Sequence, residues 1–560
     1  MKRTCIFITL LLAFLANSKT TSAQGRYVVQ FTDKSASPFS ISSPIDFLSQ
    51  RAIDRRIIQG IAIDQYDIPV NASYLTGVVS AGASIRASSR WLNSAVIDVP
   101  GAVEFAAIQA LPYVTSIRPA GSLKPGTLPD KFAQEPLVKK VASLLQRSAS
   151  PIPYGFSADQ IQQVGLNMLH NAGYTGAGVR IAVIDAGFLD LPLMRCLDSI
   201  RLHGRILATY DFVDAEADVY DDHYHGAAVL TCIASNIPDT LIGTAPQADY
   251  MLLRSEDAGS ETIAEEFYWA TAAEFADSAG ADIISTSLGY TTFDDSTQNH
   301  SYAEMDGNTT PISIASDVAA SRGIIVVNSA GNEGNSPWNY ISAPADADSI
   351  LAIGAVDING NYASFSGNGP TFDGRVKPDL AACGAATWLV SPYSNNQPVQ
   401  GNGTSFSAPL IAGAMACLRQ AFPALPSQQL IAAIKASASQ FNSPDSLLGF
   451  GIPNFAFASM LLSATEASTS SLNKILVFPN PAFLFETVEL KLTTTHSTGT
   501  VQVRLFDALG RIVFSTTATS TSGDRTTSIS VPSNTIKSAG IYLLEIETDH
   551  KREQARILYR

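Results

Sequence analysis

Four short apolar runs constrain this chain more than anything else in it: "VRIAVID" (179–185), "ADIISTSLG" (281–289), "RGIIVVNSAGN" (322–332) and "SILAIGAV" (349–356). Each is continuous rather than alternating and rich in Ile and Val. That is the pattern of a strand buried on both faces of a parallel sheet. Helical patterns lie between them, including "IAEEFYWATAAEFADSAG" and "ISIASDVAASRG". The alternation predicts an α/β domain with a doubly wound, mostly parallel sheet, in which functional residues gather beyond the carboxyl ends of the strands. Two more helices are expected at about 405–421 and 427–438, and the unit closes near "GFGIPNFAFA", residues 449–458.

The flanks differ in character. Residues 24 to about 123 hold alternating strands ("RYVVQF", "SAVIDV", "VTSIRP") and a helical piece, "VEFAAIQALP", which predict a small α+β unit. It runs out through a loose stretch, "KPGTLPDKFAQEP", to a cleavable linker near "RSASPIP", residues 147–153. "SATEASTSS" (463–471) has the Ser/Thr/Ala composition of a second linker. Beyond it, 474–560 is β-rich, with "DALG" as a hairpin turn, and suits a small β-sandwich. A chain of 560 residues exceeds one ordinary core. The expected order is a leader (1–23), an α+β unit with linker (24–153), the α/β domain (154–460), a linker (461–473) and the sandwich (474–560).

The leader reads as a signal peptide. Lys2 and Arg3 precede the apolar run "CIFITLLLAFLA" (5–16), and "TSA" at 21–23 offers small residues before Gln24. The run is too short for an ordinary membrane span, and no later segment is long enough, so no membrane span is expected. Export permits disulfides among Cys196, Cys232, Cys383 and Cys417. Cys232 and Cys417 fall inside apolar helical stretches and are expected as buried thiols; the pairing of Cys196 and Cys383 stays open. A formal charge of −14 argues against nucleic acid as a partner.

Four residues stand where an α/β crevice would gather them. Asp185 ends "RIAVID", His225 opens the helix-like "HGAAVLTCIAS" with Gly226 beside it, Asn332 ends "VVNSAGN", and Ser405 lies in "NGTSFSAPL". For Ser405 the plain reading is a helix cap, since N-caps favour Ser and Pro409 falls in the expected first turn. The sharper reading is a nucleophile. Asp185 would then orient His225 and stabilise its protonated form, and His225 would take the Ser405 proton and deliver it to a leaving amine. The Asn332 amide and the Ser405 N–H would hold an oxyanion. Asp221, Asp222, His223 and His225 also allow a metal cluster, against the plainer reading of a solvated acidic loop.

The ordered set "IAVIDAG", "HGAAV", "SAGN" and "GTSFSAP" resembles the subtilisin-like serine proteases, over roughly 154–455. The resemblance implies a secreted serine endopeptidase with the triad Asp185, His225 and Ser405 and the oxyanion residue Asn332. It also implies a substrate-binding surface at Ser287, Leu288, Gly289, Ala330 and Gly331, open enough for broad or hydrophobic preference, although Tyr290 stands where a second glycine is frequent. "DAG" and "HGAAV" depart from the commoner forms without removing a reacting atom. No cofactor is required for the chemistry; many subtilases bind calcium, and structural calcium stays unassigned here. The partners implied are protein or peptide substrates and the chain's own α+β unit, as an inhibitory propeptide. The tail, with "VFPNPA", "LFDALGRIVF" and "AGIYLLEI", resembles the sorting domain of type IX secretion cargo, which implies export through the periplasm to the surface or medium and contact with secretion machinery. The competing readings are a non-catalytic surface binding protein on a degenerate scaffold and, for the tail, an adhesive sandwich.

Overall fold

The computed structural model describes residues 24–35, 37–121, 131–132, 137–138 and 152–469, and, in the C-terminal region, 475–478, 482, 487–493, 499–507, 511–520, 526–548 and 551–559. The expected signal peptide (1–23) and most of the linker expected at 147–153 lie outside the described residues.

The central sheet has seven strands, all parallel. In spatial order they are Leu380–Cys383, Leu351–Val356, Ile325–Ser329, Ile283–Thr286, Arg180–Asp185, Asp249–Arg254 and Ile206–Asp211. The four apolar runs are four adjacent inner strands. The three strands that the pattern left out explain themselves. Leu380–Cys383 is short and reads "LAAC", without β-branched residues, and the edge strand Ile206–Asp211 is half-exposed along most of its length. Asp249–Arg254 is buried, but its "DYMLLR" is broken by polar ends. From Arg180–Asp185 the chain first skips to the edge strand Ile206–Asp211, returns to Asp249–Arg254 between the two, and then crosses to the other side at Ile283–Thr286. The order therefore reverses at the carboxyl end of Arg180–Asp185, where an open α/β sheet forms its crevice.

The helix Thr404–Ala421 lies against five of the strands and is buried from Thr404 to Arg419. Small residues allow the close approach: a Cβ on Gly413 would lie 2.0 Å from Thr244 Oγ1. Pro409 is not in the first turn, as the sequence suggested, but is the sixth residue of the helix. The helix Phe455–Thr469 also continues through most of the Ser/Thr/Ala stretch expected to be a linker. Its Ala, Leu, Met and Glu residues favour helix enough to outweigh the Ser and Thr. The four cysteines among the described residues, Cys196, Cys232, Cys383 and Cys417, are free and buried.

The N-terminal unit is a four-stranded antiparallel sheet, ordered Ser84–Ser89, Ser94–Val99, Gly25–Phe31, Val114–Gly121, with helices Gln50–Gln59, Ala72–Ser80 and Ala102–Gln109. The two-residue period of Gly25–Phe31 divides its side chains. Tyr27, Val29 and Phe31 fill the unit's own core, whereas Val28 joins Trp269 and Ala273 of the helix Ile263–Ser278. Charge fixes that seat. Asp277, fully buried, receives hydrogen bonds from Arg55, from Arg56 at 2.8 Å and from Arg90 at 2.7 Å. Glu274 accepts from the Arg90 and Trp91 N–H groups at 2.9 and 3.0 Å.

Among the described residues the C-terminal region has two antiparallel sheets. One contains Ile475–Phe478, Val488–Thr493 and Thr526–Val531; the other contains Ile512–Ser520, Gly499–Phe506, Gly540–Thr548 and Lys551–Tyr559. Val488, Val531, Val503, Leu505 and Leu544 share one core. Asp507 and Arg511 close the expected hairpin with a salt bridge.

Candidate active site

Asp185 is the last residue of its strand, and its carboxylate is fully buried. Oδ1 accepts from the Ala186 N–H at 2.8 Å and lies 2.7 Å from His225 Nδ1. An acceptor on that side places the ring proton on Nδ1 and leaves Nε2 as the basic nitrogen. His225 opens the helix His225–Ala234. Gly226 lets that helix meet the strand end, because a Cβ there would lie 2.5 Å from the Gly187 carbonyl oxygen and 2.9 Å from Asp185 Cβ.

Ser405 is not a cap. Gly403 holds that position, with φ 154°, and Ser405 is the second helical residue. Its N–H therefore belongs to the first turn, whose donors have no intrahelical acceptor, at the positive end of an 18-residue helix. Pro409, four residues on, has no N–H to give to the Ser405 carbonyl. Ser287 Oγ donates to that oxygen instead, at 2.9 Å, while Ser405 Oγ lies 3.5 Å from the Ser287 carbonyl oxygen. Asn332 follows the strand Ile325–Ser329, and its Oδ1 accepts from the Thr404 N–H at 2.9 Å and Thr404 Oγ1 at 3.0 Å. Those bonds orient the amide with its NH₂ end away from Thr404.

The five residues expected to bind substrate divide. Gly289 is exposed, while Ser287, Leu288, Ala330 and Gly331 are buried. The side chain of Leu288 belongs to the core, and its carbonyl accepts from Asn328 Nδ2 at 3.2 Å. Ala330 exchanges backbone bonds with Ile353 and Ser342. Gly289 and Gly331 both back onto Ser342, which the sequence did not point to: a Cβ on them would lie 2.1 and 2.8 Å from its Oγ. Tyr290 is buried and stacks with Phe293.

The site is covered by the N-terminal unit. The ring of Phe132 stacks on His225, with centroids 4.1 Å apart and planes inclined by 24°, and on His223 at 5.1 Å. Beside it, Lys131 Nζ donates to Glu265 at 2.5 Å and Glu256 at 2.6 Å, and lies 3.3 Å from Glu261. Burial works against the lysine's charge, and the three carboxylates outweigh it, so the ammonium stays well above the ordinary lysine range. Further along, Leu137–Val138 pairs antiparallel with Gly401 and Gln400, just before the Ser405 helix. None of these contacts was legible in the loose stretch "KPGTLPDKFAQEP", which has no periodicity to read.

The acidic loop before His225 does not gather the metal set considered above. Asp222 turns to Arg254, 3.1 Å away, which also holds Asp211 at 2.6 Å and Asp214 at 2.8 Å. Burial pushes Asp222 up to about 6 against the pull of Arg254. Calcium needs six to eight oxygen ligands. Here the guanidinium already supplies the positive charge, and Lys131 does so among the three glutamates, so neither cluster fits calcium with its cation in place.

A family model for the subtilases matches residues 176–451. The thermostable alkaline protease of Halalkalibacterium halodurans is 31% identical over 325 residues, covering 58% of this chain and 78% of that protein. The chain belongs to the subtilase family. This subtilase is also 30% identical to subtilisin DY of Bacillus licheniformis, over 50% of the chain and 89% of that protein. To subtilisin E of Bacillus subtilis it is 30% identical, over 52% and 67%. It is a serine endopeptidase. Residues 26–135 match the peptidase S8 propeptide domain of Bacteroidota, and residues 476–560 match the secretion system C-terminal sorting domain, which marks the subtilase for type IX secretion. Among the described residues, no helix is long and apolar enough to cross a membrane.

Proposed function

We propose that Asp185, His225 and Ser405 form the catalytic triad of this endopeptidase, with Asn332 as oxyanion donor. The observation that carries the assignment is the fully buried His225 Nδ1–Asp185 Oδ1 contact of 2.7 Å, beside a serine at the second position of a buried helix. As Ser405 Oγ bonds to the substrate carbonyl carbon, His225 Nε2 takes its proton and Asp185 stabilises the imidazolium. The oxyanion meets the Ser405 N–H and the Asn332 amide. His225 then protonates the departing amine as the C–N bond breaks. Water repeats the sequence on the acyl-enzyme, giving the acid and free Ser405.

Gly289 and Gly331, both backed by Ser342, keep the first pocket open and favour a broad or hydrophobic side chain there. Ser287 positions the Ser405 backbone, while Leu288 and Ala330 contribute main chain rather than side chains. The N-terminal unit acts as inhibitor until the chain is cut between Phe132 and Leu137, the two anchored points that flank the site. The sorting domain engages secretion machinery after passage through the periplasm, and the product works at the surface or in the medium. The test is expression of native and Ser405→Ala precursors. The native chain is expected to mature with a new N-terminus between 133 and 137 and to hydrolyse peptides. The variant should stay whole and inactive; a variant that matures and hydrolyses peptides equally well would refute the assignment.

A further inference from the structure

The glutamates around Lys131 do more than seat a propeptide. Glu256, Glu265 and the side chain of Glu261 are 2%, 1% and 20% exposed, and their oxygens converge within 4.8 Å of one another. Among the described residues one positive group, Lys131, serves all three, and it comes from the propeptide, a segment that leaves on activation. Glu256 Oε1 and Glu261 Oε1 are buried with no hydrogen-bond partner among the described residues, so the pocket has more acceptors than the lysine uses. Nor is it remote from the chemistry. Lys131 and Phe132 are consecutive, hence about 3.8 Å apart at Cα, and the Phe132 ring lies on His225. Whatever follows the path of the propeptide across the triad presents a side chain to these carboxylates.

We propose that Glu256, Glu261 and Glu265 form a substrate subsite for a basic side chain, which Lys131 occupies in the precursor as a product-like inhibitor. The proposal rests on the endopeptidase reading and deepens it by naming a substrate class. Substrates would carry Lys or Arg one residue before the side chain that covers His225. Emptied, the pocket leaves three carboxylates at short range without a counter-charge. Burial already pushes Glu256 well above, and Glu261 up to about 8 from, the ordinary carboxylate range despite Lys131. A basic side chain relieves that repulsion, an apolar one leaves it, and an acidic one adds to it. Glu265 also caps its own helix through Oε1, accepting from the Thr262 N–H at 3.1 Å, so Glu256 and Glu261 are the ones to alter.

The experiment uses matured enzyme, with active sites counted by fluorophosphonate titration. The substrate is the decapeptide of residues 129–138, "PDKFAQEPLV", with Lys, norleucine or Glu at its third position. The Lys peptide is expected to have at least tenfold the kcat/KM of the norleucine peptide, and the Glu peptide to be worst. In Glu256→Gln and Glu261→Gln the Lys-to-norleucine ratio, which does not depend on the amount of folded enzyme, should fall toward one, as it should in native enzyme at high salt. Equal rates for the Lys and norleucine peptides would overturn the subsite while leaving the protease intact. Equal rates together with a calcium-dependent rise in Tm that Glu256→Gln abolishes would instead assign the pocket to a metal. Failure of titrated enzyme to cut any of the three peptides or casein would overturn the endopeptidase reading on which the proposal rests.

Discussion

Replacing Phe132 by Ala should release the protease from its propeptide, by an amount that the structure sets. The Phe132 side chain is buried within the cluster formed with the catalytic domain and is absent from the propeptide's own core of Tyr27, Val29, Phe31 and Ile108. The substitution therefore removes interface without unfolding the inhibitor. Burying a Phe side chain is worth about 1.5–3 kcal/mol, and a stacked aromatic pair adds about 0.5–1.5 kcal/mol. The sum, roughly 2–4.5 kcal/mol, corresponds at about 1.4 kcal/mol per decade to a Ki roughly 30- to 1,600-fold weaker. The assay adds native or Phe132→Ala propeptide, residues 24–136, to matured enzyme and follows a fluorogenic peptide. The comparison should be repeated at high salt, where the Asp277–arginine contacts are screened least because they are buried. A Ki that moves less than fivefold would refute the claim that the His225 contact contributes to inhibition.

Three further outcomes follow from contacts described above. Ser287→Ala should remove the Ser287 hydrogen bond to the buried Ser405 carbonyl at a cost of about 1–3 kcal/mol; in a Pro409→Ala background, where an N–H returns, the cost should largely vanish, as read from urea midpoints of Ser405→Ala protein. Gly226→Ala forces a Cβ into the Gly187 carbonyl and Asp185 and should lower kcat about 100-fold through misplacement of His225, the scale expected for a 1 Å error; unchanged kcat in soluble protein would refute it. For His300, burial opposes the charged ring, but the 2.6 Å contact with Glu266 prevails and holds its pKa above the ordinary value. A raised folded pKa gives stability that is full below the unfolded value of about 6.5 and lost as pH rises through the folded one. The Tm deficit of His300→Gln should therefore shrink from pH 6 to pH 9, and a deficit that grew instead would reverse the assignment.

The inner strands are legible because burial on both faces writes an uninterrupted apolar run, and the four residues proposed for the site stand out because they lie where those runs or their helices begin and end. The Ala-rich "LAAC" and the half-exposed "ILATYD" carry no such mark, so the sheet's flanks were not visible. Pro409 misled because a proline near a helix start is ordinarily in the first turn; its true place became apparent only with Ser287 supplying the missing donor. The Ser/Thr composition after Phe455 suggests a linker, but the helix formers among those residues decide the matter. Least legible were the contacts of Lys131 and Phe132, since nothing local to "DKF" encodes three glutamates and a histidine more than ninety residues downstream. Such contacts are properties of the assembled chain.

The central claim is that Ser405 is a serine activated by His225, and fluorophosphonate labelling of matured protein with peptide mapping tests it most directly. The adduct is expected on Ser405, absent from Ser405→Ala and strongly slowed in a His225→Ala chain matured by added native enzyme. A correctly matured native protein that takes no label, or takes it at another serine, would contradict the account.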